Sequence, residues 1–282
     1  MIDATSTHKQ VLPTLVACCV LILLGPLANA QSAASLYRDA EKQYGEKSYG
    51  KAAALYEQLA KEYSGDRRAD EAAFKAGLSH YKLGDPDIAI AHLEPYVETH
   101  KASIWAAKAR RILVLAYNNT WHEHRAAERS TMLLREAAAY LEDNLDEDGA
   151  LDELVLTLFQ LSDQVDQLPY AEDEDYETRI DARIDIMKQI VALNAGDSVS
   201  AKTTLAIGHF LYYNKPDSQA KGLDTWRSVI RKWPRTDSAP GAQFRIAEHF
   251  ENSEEFPKAL GEYRVITKRW PKSDEADNAK HA

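Results

Sequence analysis

Cysteine is almost missing from this sequence. Its 282 residues include two, Cys18 and Cys19, and both fall in the first thirty. Beyond that segment no thiol is present for a disulfide, a nucleophile or a thiolate metal site. Glycine and proline are sparse, at 12 and 10, while Ala, Glu, Leu, Lys and Asp are common, a balance that favours helix over strand. No strand pattern stands out. Excess positive charge is also lacking. Asp and Glu outnumber Lys and Arg by 44 to 34, a formal net charge of −10, which excludes a general phosphate-backbone binder and suits a soluble exported chain. Catalytic signatures are missing as well: no G-x-S-x-G, no Gly-rich phosphate loop, no dinucleotide fingerprint and no H-E-x-x-H. With 45% hydrophobic residues, the chain can still bury a core.

One long apolar run exists, "VLPTLVACCVLILLG" at 11–25, after Lys9 and before "PLANA". It is short for a membrane-spanning helix, which needs about 20 residues. Ala28 and Ala30 supply an A-x-A pattern, so residues 1–30 read as a secretory signal peptide cut after Ala30, with Gln31 first in the mature chain. A competing reading takes "LVAC" as a lipobox with the lipid on Cys18. It leaves "CVLILLG" as an apolar stub on the mature chain.

Near the end, "RKWPRTDSA" (231–239) returns as "KRWPKSDEA" (268–276). A period of this size signals a stacked repeat. Each copy ends a helix whose apolar positions step by four, three and four, the spacing of one helical face. These are Gly222, Trp226, Val229 and Trp233, and then Ala259, Tyr263, Ile266 and Trp270. The same steps occur at Ala52, Tyr56, Leu59 and Tyr63, and at Ala89, Leu93, Tyr96 and His100. A first helix precedes each: Tyr37, Ala40 and Tyr44; Phe74, Gly77 and Tyr81; Leu205, Gly208 and Tyr212; Phe244, Ala247 and Glu251, with Phe250 beside it as the apolar substitute. Small residues open each second face and let helices approach closely. Pro234 and Pro271 end their helices, and Thr236 and Ser273 are candidate N-caps for the next. Trp233 and Trp270 are expected to be equivalent, substantially buried inter-repeat residues.

These faces resemble the tetratricopeptide (TPR) family, with a nominal repeat of about 34 residues. The longer version here, closing on an aromatic, Pro and a hydroxyl, is similar to repeats of exported bacterial envelope proteins of the BamD and CpoB type. The resemblance spans 33–101 and 197–282 and implies an all-α, right-handed α-solenoid of TPR-like helix–turn–helix repeats, about six helix pairs. The expected organisation is a signal peptide (1–30), repeats (31–101), irregular helical pairs continuing the solenoid (102–196), and repeats again (197–282), with truncation at the C-terminus left open. The stretch "LPYAEDEDYE" (168–177) reads as an exposed acidic loop.

Candidate chemistry is thin. "NLDEDGALDELV" (144–155) places Asn144, Asp146, Asp148, Gly149 and Asp152 at EF-hand positions, but Val155 stands where a bidentate Glu should close a calcium shell. A solvated acidic linker is the plainer reading. His122 and His124 of "WHEH" point to different sides of a helix, and His80, His92, His100, His209 and His249 sit at scattered helical positions. Neither a metal site nor a cofactor is expected. In TPR-like superhelices the first helices line the concave face, and there the resemblance places His80, Tyr81, Tyr117, Tyr212, Tyr213 and His249, rings that either anchor a partner or pack into the next repeat. The expected function is a non-catalytic exported scaffold, in the periplasm or on the periplasmic face of the outer membrane, that binds proteins of envelope assembly or maintenance of the Tol–Pal kind. The alternative is the N-terminal module of a larger α2-macroglobulin-like protein, suggested by a last helix that has barely begun at Ala282. A peptidoglycan-handling enzyme on a helical solenoid lacks an identifiable catalytic Glu.

Overall fold

The structure, a computed structural model, describes residues 31–120, 123–168 and 176–282. The signal segment with Ala30 and Cys18, the centre of the acidic loop, and Trp121–His122 lie outside the described residues.

The described chain forms thirteen α-helices and one short 3-10 turn, with no strand among the described residues. The helices fall into six antiparallel pairs and a short last element. They are α1 (Ala33–Gly45) with α2 (Tyr49–Glu62), α3 (Ala69–Leu83) with α4 (Pro86–Thr99), α5 (Ile104–Asn119) with α6 (Glu123–Asp143), α7 (Ala150–Val165) with α8 (Tyr176–Ala192), α9 (Asp197–Tyr213) with α10 (Gln219–Lys232), α11 (Ser238–Asn252) with α12 (Phe256–Arg269), and then α13 (Asp274–Asn278). Each helix packs on its sequence neighbours, so the chain is an all-helical TPR-like solenoid.

The four-three-four faces set this packing. Ala52, Tyr56 and Leu59 are buried, as are Ala89, Leu93 and Tyr96; Gly222, Trp226 and Val229; and Ala259, Tyr263 and Ile266. The small residues lie where helices cross. A Cβ on Gly208 would sit 2.5 Å from Trp226 Cδ1, and one on Gly222 would sit 2.9 Å from the Tyr212 backbone nitrogen. Larger residues there would force the pair apart. Phe250 does replace Glu251 as the apolar residue of α11, packing between two core clusters.

The WP turns are equivalent in detail. Trp233 and Trp270 share one backbone conformation, φ −129° with ψ 56° and 59°. Each donates its backbone N–H to the residue four before it, Val229 or Ile266. A cation from the last helical turn lies over each ring, Lys232 at 5.6 Å and Arg269 at 4.6 Å. Trp270 Nε1 donates to Pro234 O at 2.9 Å, which joins one WP turn to the next. Both tryptophans are substantially buried though not fully enclosed, as expected of equivalent residues that close a helix end rather than its middle. Two expectations need correction. His100, at the matching position, is exposed and lies against Tyr96. Ser273 caps α13 by accepting from the Ala276 N–H, but Thr236 turns back to donate to Trp233 O, leaving Asp237 at the start of α11.

First helices of successive pairs touch: α3 with α5, α5 with α7, α9 with α11, and α11 with α13. Among the described residues no contact of that extent joins successive second helices. A stack that closes up on one side curves toward that side, so the first helices line the inner surface.

Candidate functional site: the inner face and a histidine–carboxylate cluster

The six ring residues named from the sequence separate into two groups. At the N-terminal end are His80, Tyr81 and Tyr117; at the C-terminal end are Tyr212, Tyr213 and His249. Most of their polar atoms join helices to one another. Tyr117 is buried and its hydroxyl donates to Glu94 of α4. Tyr81 OH accepts from Asn119 Nδ2 at 3.3 Å, tying α3 to α5. The Tyr212 hydroxyl meets His249 Nδ1 at 2.9 Å, tying α9 to α11. Farther toward the N-terminus, Lys75 Nζ donates to Glu41 at 2.6 Å and to the Tyr37 hydroxyl at 3.2 Å, tying α3 to α1. Partnered carboxylates outweigh the desolvation of the half-buried Lys75 ammonium and hold its pKa above the ordinary lysine value.

Tyr213 differs from the rest. It is 48% exposed, lies 4.5 Å from the His209 ring and meets Tyr212 edge-on at 4.7 Å. Behind this group Trp226 is fully buried and donates from Nε1 to Leu205 O, which fixes Tyr212 from beneath. An exposed ring on a rigid aromatic base makes contact area at little entropic cost, as binding anchors do.

His80 turns elsewhere. It projects from α3 toward α2 and α4, where its Nε2 lies 2.8 Å from Glu57 Oε1. His92 Nε2, from α4, lies 3.3 Å from the same oxygen. The two imidazoles are stacked, with centroids 4.9 Å apart and planes inclined by 18°. The expectation that these histidines are scattered therefore fails. Repeat register could have revealed the cluster. His80 stands three residues after Gly77 and His92 three after Ala89, and these are the paired small residues of one helical hairpin. A face-by-face reading of each helix conceals that match.

The stretch 144–155 offers no calcium cage. Val155 is buried in the core and Glu153 is held by Arg111 at 2.6 Å. Gly149 takes a positive φ of 77° to start α7, and Asp152 lies in the first turn of that helix.

A TPR-like helical solenoid belongs, as a class, among the repeat scaffolds. The model of the YfiO family, described as an outer membrane lipoprotein, matches residues 29–145, less than half of the chain. The chain is a TPR-like repeat protein resembling that BamD-type envelope family. Among solved structures, a kinesin light chain-type protein of Podosopora anserina with nearly identical TPR-like repeats aligns at a TM-score of 0.50 with 13% identity, covering 71% of this chain and 96% of that one. A variant form of the same protein aligns at 0.50 with 12% identity, over 71% and 95%. These likenesses show the fold alone. No curated protein matches the chain. The alternative of an α2-macroglobulin-like module gains no support from these comparisons.

Proposed function

We propose that this protein is an exported, non-catalytic scaffold of the bacterial envelope that docks a segment of a partner protein along its inner face. The match of residues 29–145 to an outer membrane lipoprotein family carries this reading. The signal-like residues 1–30 agree with it, as does the class, since stacked helical pairs present extended binding surfaces. The partner belongs to outer-membrane assembly or envelope maintenance. Tyr213 is the exposed anchor, Tyr212 and His249 its support, and Tyr81 with Tyr117 frames a second contact toward the N-terminal end. His80 contributes by fixing α3 between α2 and α4. The protein resides in the periplasm or at the periplasmic face of the outer membrane, after cleavage at Ala30.

The test is a pull-down from envelope extract with the mature chain and its Tyr213→Ala variant. The expected result is a specific envelope protein retained by the native chain and reduced at least about tenfold by the substitution, the loss of one anchor residue. Equal recovery by both, or recovery of nothing specific by a folded native chain, contradicts the reading. Mass spectrometry of the mature N-terminus separates Gln31 from a lipidated Cys18.

A further inference from the structure

Glu57 and His92 have no part in the docking proposed above, and His80 enters it only by fixing α3; together they form the one group of three metal-competent side chains among the described residues, with ligand atoms all within 4.8 Å of one another. We propose that they bind a transition-metal dication, with Zn²⁺ the best fit.

The donor set comes first. Two imidazoles and a carboxylate suit zinc and disfavour the hard cations, which take oxygen donors. Histidine–zinc and carboxylate–zinc bonds of about 2.0–2.1 Å in a tetrahedron place ligand atoms about 3.3 Å apart. Here the two nitrogens lie 2.8 and 3.3 Å from Glu57 Oε1, and all three ligand atoms lie within 4.8 Å of one another, so the ion enters when the carboxylate shifts outward and the two imidazoles turn from their stacked pose toward a common point. The ion then takes the place between the three atoms that a shared proton contact fills without it, and the carboxylate offsets half of its charge.

Scaffolding is the second point. The three ligands come from three successive helices, α2, α3 and α4. The α3–α4 crossing is held by Gly77, where a Cβ would lie 2.4 Å from Leu93 Cδ2. His80 is enclosed, with its side chain 15% exposed, while His92 and Glu57 face solvent at 37% and 41%. Glu57 and His92 also line a groove of about 450 Å³ together with Ala60, Lys61, Ala73 and Tyr96. Three protein ligands beside a groove leave the fourth position to water, as in open zinc sites.

The surroundings set the strength. Nδ1 of His80 is buried and meets no hydrogen-bond partner. Zinc-bound histidines are strengthened by an acceptor at that nitrogen, so this site is weaker than a closed four-ligand structural site. It joins α2 to the α3–α4 hairpin rather than creating the fold. Metal binding at this point stiffens the N-terminal repeats against each other.

The experiment uses the full mature chain without a histidine tag, titrated with Co²⁺ and followed by visible d–d absorption, then back-titrated with Zn²⁺. One Co²⁺ per chain is expected, with the intense bands of a four- or five-coordinate N/O site, displaced by Zn²⁺. His92→Ala and the isosteric Glu57→Gln, each checked for native helicity, should weaken binding at least about tenfold. His281→Ala should leave it unchanged. A raised thermal midpoint with Zn²⁺ should appear in the native chain and vanish in His92→Ala. Absence of saturable binding by the folded native chain overturns the proposal. So does binding that survives both ligand substitutions, which would mark a histidine–carboxylate contact without metal.

Discussion

At the scale of single residues, the helix crossings tolerate almost no added volume. Gly77 and Gly208 face side chains at shorter range, but Gly222 is the least forgiving, because its missing Cβ would meet backbone: Tyr212 N at 2.9 Å and Gly208 O at 3.0 Å. Backbone does not swing aside as a side-chain end does, so Gly222→Ala should cost about 1–3 kcal/mol, in the range of overpacking. Gly261 provides the contrast. It sits mid-helix in α12 with nothing within 4 Å of its would-be Cβ. There the substitution only removes backbone freedom from the unfolded chain, and Gly261→Ala should stabilise by about 0.5–1 kcal/mol. Urea denaturation of the two variants checks both signs. An equal effect at the two sites would show that Gly222 is not a crossing residue.

At the scale of elements, tyrosine–carboxylate pairs tie helices to the ones before them. Tyr56 donates to Glu41, Tyr96 to Asp70 at 2.5 Å, Tyr117 to Glu94, and Tyr263 to Glu251 at 2.6 Å. Burial, and then the neighbouring carboxylate, raises the pKa of all four above the ordinary tyrosine value. The same causes push Tyr140, which donates to Glu147, up to about 12. A group with a raised folded-state pKa stabilises fully below its unfolded value, about 10 for tyrosine, and loses that stabilisation as pH rises further. The protein should therefore keep a flat stability plateau with respect to these groups below pH about 10 and lose stability above it. Tyrosinate absorbance from these five paired residues, read as the part lost in their Phe variants, should appear together with the loss of helix rather than before it. Free titration of all the tyrosines near pH 10 in a still-helical protein would contradict the pairing.

Much of this element-level order was legible in the sequence. The four-three-four faces gave the second helices of four pairs, since a repeated period makes each copy check the others. The irregular middle was readable as helical pairs, and α5 to α8 lie within it. What escaped were relations between helices. Thr236 and Ser273 are the same residue class at the same register, yet only Ser273 caps a helix. His80 and His92 look like two ordinary helical positions until the hairpin brings their rings to 4.9 Å. Pattern along one helix fixes which face turns inward; it does not fix which polar groups on adjoining helices meet.

At the scale of the whole molecule, contact between first helices and the wider spacing of second helices define a curved scaffold with a distinct inner side. Tyr213 is on a first helix and 48% exposed; Phe256, at the start of the second helix α12, is 61% exposed. The two rings have comparable access to solvent, so exposure alone does not separate them. If the scaffold docks its partner on the inner face, position should. The most direct measurement is photo-crosslinking in intact cells, with a benzophenone amino acid in place of Tyr213 or of Phe256. A discrete adduct with an envelope protein from position 213, and none from position 256, is the predicted result. Adducts of equal yield from both positions, or an adduct from position 256 alone, would contradict inner-face docking.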